Sequence, residues 1–198
     1  ACLQFDLHSP VAMVTYHPVT LENDTAEEQV QNLLVALLET GVRAVFTKAN
    51  ADSQGRLINQ KIAEFCLDRP RDYCLRESLS QRVYLSCLRH VDLMIGNSSS
   101  GLIEAPSLGL SAVNIGDRQR GRIKAASVID VGYSVSEIVR GIEQVVSSGR
   151  RGRSGAVANP YAGSARGMVS TLIKEQLKLV ELGEGLIKKQ FHDLMVRP

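Results

Sequence analysis

The amino-acid sequence predicts an α/β fold, a parallel sheet covered by helices on both faces. Two observations carry that expectation. Short apolar runs without helical spacing, as expected of strands buried on both sides, alternate with amphipathic stretches of helical period. The connections between them are short and polar, as a repeated strand–helix–strand unit requires. With 198 residues, 44% hydrophobic and 22% charged, the chain suits one well-buried domain and is too short for two comfortable ones.

The elements follow in order. Val11 to Tyr16 is a short apolar run and reads as a buried strand, leaving through the loop His17-Pro18-Val19-Thr20. Thr25 and Glu28 have the spacing of a capping box. Val30, Leu33, Leu34, Leu37 and Leu38 then make a helical stripe that Gly41 ends. Val42 to Thr47 is a second buried strand, Lys48 to Gly55 a polar loop, and Arg56 to Leu67 a helix through Ile58, Ile62 and Phe65. Tyr73 to Leu75 is a weaker strand, Ser80 to His90 a helix, and Leu93 to Ile95 a strong strand. A short helix with Leu102, Ile103, Ala105 and Leu108 ends at Gly109. Strand Ala112 to Ile115, a glycine–arginine loop, strand Val128 to Val131 and helix Ser136 to Ser147 come next. After a basic Gly/Ser-rich linker, Ser147 to Gly155, the stretches Met168 to Leu182 and Leu186 to Met195 read as terminal helices.

Composition narrows the function classes. A net charge of +2 is too small to argue for nucleic acid or a membrane surface, and aromatics, 5% of the chain, do not interleave with the arginines as base-stacking surfaces require. No apolar run approaches the roughly 20 residues of a membrane span, and Ala1 to Leu7 lacks the basic start of a signal peptide. Cys2, Cys66, Cys74 and Cys87 contain no C-x-x-C pair. A zinc site built on Cys74, Cys87 and His90 would lack a fourth ligand, so no metal is expected. Reduced thiols suit a cytoplasmic protein. The chain opens on Ala1 rather than Met and reads as a piece of something longer.

The chemistry concentrates in the loops that would follow the strands, where open parallel sheets bind ligands. At Gly96-Asn97-Ser98-Ser99-Ser100-Gly101 a strand turns into a helix, which leaves backbone N–H groups unpaired at the positive end of the helix dipole. Such a turn binds anions, phosphates above all, and the serines add hydroxyl donors; a plain serine N-cap has the same sequence. Glu104 lies one turn inside the helix, a carboxylate placed to accept from sugar hydroxyls. His17 can donate to a phosphate or simply cap its strand, and Asn50 and Asp52 suit either a cleft or a turn. Arg118, Arg120 and Arg122 alternate in one loop, and a planar guanidinium binds phosphate bidentately. No G-x-x-x-x-G-K-[ST], no G-x-G-x-x-G after a strand and no G-x-S-x-G occurs, which removes support for nucleotide hydrolysis, nicotinamide chemistry and serine hydrolysis.

Four motifs taken together, Val-Thr-Tyr-His-Pro-Val-Thr-Leu-Glu (14 to 22), Phe-Thr-Lys-Ala-Asn-Ala-Asp (46 to 52), Gly-Asn-Ser-Ser-Ser-Gly-Leu-Ile-Glu (96 to 104) and Gly-Asp-Arg-Gln-Arg-Gly-Arg (116 to 122), resemble the UDP-N-acetylglucosamine 2-epimerases. The likeness is to the hydrolysing branch that serves sialic acid synthesis, and it runs on through Asn159-Pro160-Tyr161, with Ala162 where the family has glycine. The resemblance implies a Rossmann-like unit, the C-terminal, nucleotide-holding half of a two-domain fold of the GT-B type. It implies that His17, Ser98, Ser99 and Arg118 contact the diphosphate of UDP, that Glu104 holds the ribose, and that the loop around Leu79 meets the uracil. Asn50, Asp52, Ser100 and Gly101 fall in the cleft with no assigned role. The implied reaction converts UDP-N-acetylglucosamine to N-acetylmannosamine and UDP without a cofactor. Its proton-transferring carboxylates would lie in an N-terminal half that this chain does not contain. The helices from about 168 to 197 would in part pack on that half, and apolar surface left there would favour a homo-oligomer. Two alternatives stay open: action on a diacetamido-trideoxyhexose UDP sugar, and a non-catalytic domain that only binds a nucleotide sugar.

Overall fold

The computed structural model describes residues 5–8, 10–19, 25–50, 53–148, 158–162 and 169–180. Six strands form one sheet: β1 (Val11–Thr15), β2 (Arg43–Thr47), β3 (Tyr73–Arg76), β4 (Leu93–Gly96), β5 (Ser111–Ile115) and β6 (Val128–Val131). They lie in the order β3-β2-β1-β4-β5-β6, and every neighbouring pair is parallel. β1 and β4 are buried along their whole length, as expected of central strands covered on both sides.

The helices divide between the two faces. α1 (Ala26–Thr40), α2 (Ser53–Asp68) and α5 (Val135–Ser148) cover one face, where Val30, Leu33, Leu37, Ile58, Ile62 and Ile142 pack on Ala12, Val14, Phe46 and Ile95. α3 (Gln81–His90) and α4 (Ser100–Ser107) lie with the other, where Leu88 and Ala105 join Val11, Met13, Val45 and Met94. The alternation Met13-out, Val14-in sends successive β1 side chains to opposite faces, so a strand of four hydrophobic residues feeds two cores at once.

Two local readings change. Thr25 stands at the N-cap of α1, but its side chain makes no capping bond, because its hydroxyl accepts the Gln29 side-chain amide at 2.9 Å instead. Gln29 is occupied in turn by the phenol of Tyr16 at 2.8 Å, so a buried tertiary pair displaces the capping box with Glu28. The loop after β2 is shorter than its composition implies, since α2 begins at Ser53 and takes Gly55 into its first turn. The other strand and helix boundaries agree within one or two residues, apart from the helix expected over 168–182, which is described as Val169–Leu179 and whose expected ends lie outside the described residues. The linker at 149–155 and the stretch 186–195 lie outside the described residues.

Residues 1–161 and 162–198 are two compact units. In the second, α6 (Val169–Leu179) carries exposed Leu172, Ile173, Leu177 and Leu179. Among the described residues no helix is long and apolar enough to cross a membrane.

Candidate functional site

From β1 the chain moves outward to β2 and β3, then returns to place β4 on the other side of β1. The loops leaving β1 and β4 therefore diverge, and the carboxyl ends of these two strands frame a crevice. Gly96 ends β4 opposite Thr15 of β1 with φ of 131°. A Cβ there would stand 2.0 Å from the Thr15 carbonyl oxygen, so only glycine permits this approach.

Asn97 follows, with none of its surface exposed. Its side-chain oxygen accepts the His17 backbone N–H and its amide donates to the His17 carbonyl, both at 2.7 Å. The Asn97 carbonyl accepts Gln119 Nε2 at 2.8 Å and Arg118 Nη1 at 3.1 Å. One residue thus ties together the loops after β1, β4 and β5.

The serine turn follows and opens α4. Ser98 Oγ accepts the Ser100 N–H at 3.3 Å, and the Ser99 carbonyl accepts those of Leu102 and Ile103. Ser99 stands at the N-cap without a side-chain capping bond, and it is Ser98, one residue earlier, whose hydroxyl serves a backbone N–H at the helix start. Ser98, Ser99 and Ser100 line a cleft of about 390 Å³ together with His17, Leu79 and Glu104. His17 Nδ1 accepts the Asn50 backbone N–H at 3.2 Å, which in the neutral ring leaves the proton on Nε2 as a donor.

The floor of the cleft is polar. The hydroxyls of Thr15 and Thr47 lie 2.6 Å apart, and the Tyr84 phenol donates to Ser100 Oγ at 2.8 Å. Burial pushes the Tyr84 phenol above its ordinary value, opposed by its bonds to Ser100 and Thr15 and reinforced by the Glu104 charge, so it stays a neutral donor. Glu104 Oε2 is buried and has no hydrogen-bond partner among the described residues. At the rim Lys48 pairs with Glu77, and that hydrogen bond and charge hold the Glu77 carboxyl below its usual range.

The residues singled out by sequence do not all meet in the cleft. His17, Leu79, Ser98, Ser99, Ser100 and Glu104 do. Arg118 is exposed and reaches the back of the serine turn through the Asn97 carbonyl, and Asn50 is exposed and supports the His17 ring. Gly101 faces the sheet, where a Cβ would lie 3.3 Å from Ala112 Cβ, so it serves close helix–sheet packing. Asp52 lies outside the described residues. Sequence reasoning passed over Asn97, Gln119 and Tyr84. Asn97 carries a faint signal as the first polar residue after an apolar strand; Gln119 carries none.

The arrangement presents donors at a helix start on one side and a buried, unpaired carboxylate oxygen on the other. That combination suits a ligand with an anionic group and neighbouring hydroxyls. Among the described residues no group of three or more His, Cys, Asp or Glu side chains is gathered as for a metal ion.

Comparison with known proteins gives the family and the fold. Residues 3–176 match the family model described as UDP-N-acetylglucosamine 2-epimerase. The chain is 40% identical over 132 residues to the polysialic acid biosynthesis protein P7 of Escherichia coli, covering 66% of this chain and 33% of that protein. It is 36% identical over 143 residues to the UDP-N,N'-diacetylbacillosamine 2-epimerase (hydrolyzing) of Legionella pneumophila, covering 72% of this chain and 37% of that protein. The chain thus spans about a third of the length of these relatives. The crystal structure of the Neisseria meningitidis UDP-GlcNAc 2-epimerase bound to UDP-GlcNAc shares the fold. Its TM-score is 0.67 at 20% identity, over 87% of this chain and 45% of that one.

Proposed function

The chain belongs to the UDP-N-acetylglucosamine 2-epimerase family, and from that premise we propose that it is the UDP-holding half of a hydrolysing 2-epimerase. The observation that carries the reading is the pairing, in one cleft, of the serine turn with the unpaired, buried Glu104 Oε2. A nucleoside diphosphate offers complementary groups to both. Ser98 and Ser99, the His17 Nε2–H and the Arg118 guanidinium would receive the diphosphate, Glu104 the ribose hydroxyls, and the loop of Leu79 the uracil.

In the proposed reaction a base removes the proton on C2 of UDP-N-acetylglucosamine, and the bond from C1 to the UDP oxygen breaks. The resulting glycal takes up water with a proton returned to C2 from the other face, giving N-acetylmannosamine and free UDP. As that bond breaks, negative charge grows on the diphosphate. Donors fixed beside it stabilise the transition state more than the ground state, by about 2.7–4 kcal/mol for one well-placed donor. The proton transfers need groups within about 3 Å of the sugar. We place these on a further α/β half of a longer protein, across the cleft from the serine turn, and the chain alone would bind UDP without turning over its sugar. We also propose that the longer protein associates with itself.

A second reading concerns the sugar. The hydrolyzing relative from Legionella pneumophila is named for UDP-N,N'-diacetylbacillosamine, and the wall that would select the sugar lies outside the described cleft. A diacetamido-trideoxyhexose substrate fits the same UDP site.

Calorimetric titration of the chain with UDP, UMP and uridine tests the proposal. Saturable UDP binding that weakens sharply for UMP is expected. Absence of UDP binding, or equal affinity for UDP and uridine, would overturn a diphosphate site.

A further inference from the structure

We propose that Asn97 and Gln119 are positioning residues that hold His17 and the serine turn in a diphosphate-accepting arrangement before any ligand arrives. The inference rests on the UDP reading above and adds to it two residues that do not line the cleft.

Asn97 copies a strand pair with a side chain. Its N–H continues the ladder to the Thr15 carbonyl at 3.2 Å, and its amide then makes two bonds of 2.7 Å to the His17 backbone, one donated and one accepted. The β1 loop is thereby fixed beyond the point where strand pairing stops.

The second lock acts through a peptide plane. Both lone pairs of the Asn97 carbonyl are engaged, by Gln119 Nε2 and by Arg118 Nη1, so that carbonyl is held toward the β5 loop. A trans peptide points its carbonyl and the following N–H in opposite directions. The Ser98 N–H is therefore aimed away from the β5 loop, as a fixed donor rather than one that must be ordered by the ligand. Preordering of this kind removes a cost that binding would otherwise meet. The same carbonyl anchors the Arg118 guanidinium through one N–H of Nη1, and the guanidinium carries further N–H donors for an anion.

Gln119 gives independent support. It is 2% exposed although Arg118 and Arg120 on either side are exposed, and its Oε1 is buried without a partner among the described residues. Burying an amide with one oxygen unpaired costs stability. Folding alone does not account for it, whereas holding the Asn97 carbonyl does.

The test uses the 198-residue chain with Asn97→Ala and, separately, Gln119→Leu. Leucine removes the donor together with the unpaired oxygen, so this variant keeps the fold if the larger change at Asn97 does not. UDP affinity is measured by calorimetry and uridine affinity by ligand-observed NMR, and their ratio reports the share owed to the diphosphate. That ratio is expected to fall roughly tenfold in each variant, the scale of one charge-assisted hydrogen bond, with uridine affinity unchanged. A merely structural role would lower both affinities together, and that result overturns the inference, as does an unchanged ratio. Failure of the unsubstituted chain to bind UDP would sink the functional reading itself, and this inference with it.

Discussion

Glu104 shows at the scale of one residue how a site differs from a core. A buried carboxylate oxygen without a partner costs stability, and in the proposed site a ligand hydroxyl would supply that partner. Replacing Glu104 by alanine should weaken UDP binding by about tenfold, the scale of a hydrogen bond to a charged group. If the lost partner is a ribose hydroxyl, 2′-deoxy- or 3′-deoxy-UDP should lose affinity to the native chain and lose little more on the alanine variant. Additive losses in that cycle would place Glu104 elsewhere. Glu104, His17 and the serines were legible in the sequence because each belongs to a short segment whose chemistry is local. Asn97 and Gln119 were not, because their partners lie 80 and 22 residues away. No spacing rule connects an asparagine to the backbone of a histidine in another loop.

Among the elements, the strands were the most legible, since burial on both faces keeps β4 and all of β1 but its last residue, Thr15, free of polar side chains. The start of α2 was hidden by its own first turn, Ser-Gln-Gly, which has the composition of a loop. The cap of α1 failed for a different reason: Gln29, four residues on, competes for the same hydroxyl. α5 supplies a prediction at this scale. Gly141 sits inside the helix, where alanine would gain about 1 kcal/mol in propensity. A Cβ there, however, would stand 2.8 Å from Val131 Cγ1 and 3.1 Å from Val113 Cγ1, on the two strands beneath. Overpacking of this kind costs about 1–3 kcal/mol, and the neighbours are short branched side chains with nowhere to swing. Gly141→Ala should therefore lower stability in urea melts, and a stabilised variant would show that α5 can lift from the sheet at little cost.

Across the whole molecule the two cores make burial itself measurable. Burial pushes the Cys66 thiol up to about 12, with the neighbouring Cys74 adding to it, and burial pushes the Cys74 thiol up to about 11 against the pull of Arg76. Both thiols return to about 9 in the unfolded chain, so as pH rises the unfolded state loses these protons first. The stability they contribute is intact below pH 9 and is lost between 9 and about 11 to 12. Urea melts should show that decline, shallower in a Cys66→Ala, Cys74→Ala double variant; equal slopes would mean that other groups carry it. The parallel sheet and the family were within reach of sequence at this scale because alternation and four ordered motifs specify them. The strand order was not, because it depends on pairings between strands far apart in the chain, and the chain spans about a third of its relatives' length.

The side-chain pairing of Asn97 with His17 also has a kinetic meaning. Loop amides ordinarily exchange their protons with solvent through small, local openings, whereas amides of central strands wait for the fold to open. The N–H groups of His17 and Asn97 lie past the ends of β1 and β4, yet both are bonded, one to a buried side chain and the other to Thr15. In the time domain they belong to the sheet. Hydrogen–deuterium exchange should find both protons slow, so that the boundary of the rigid part of the molecule falls at the mouth of the cleft.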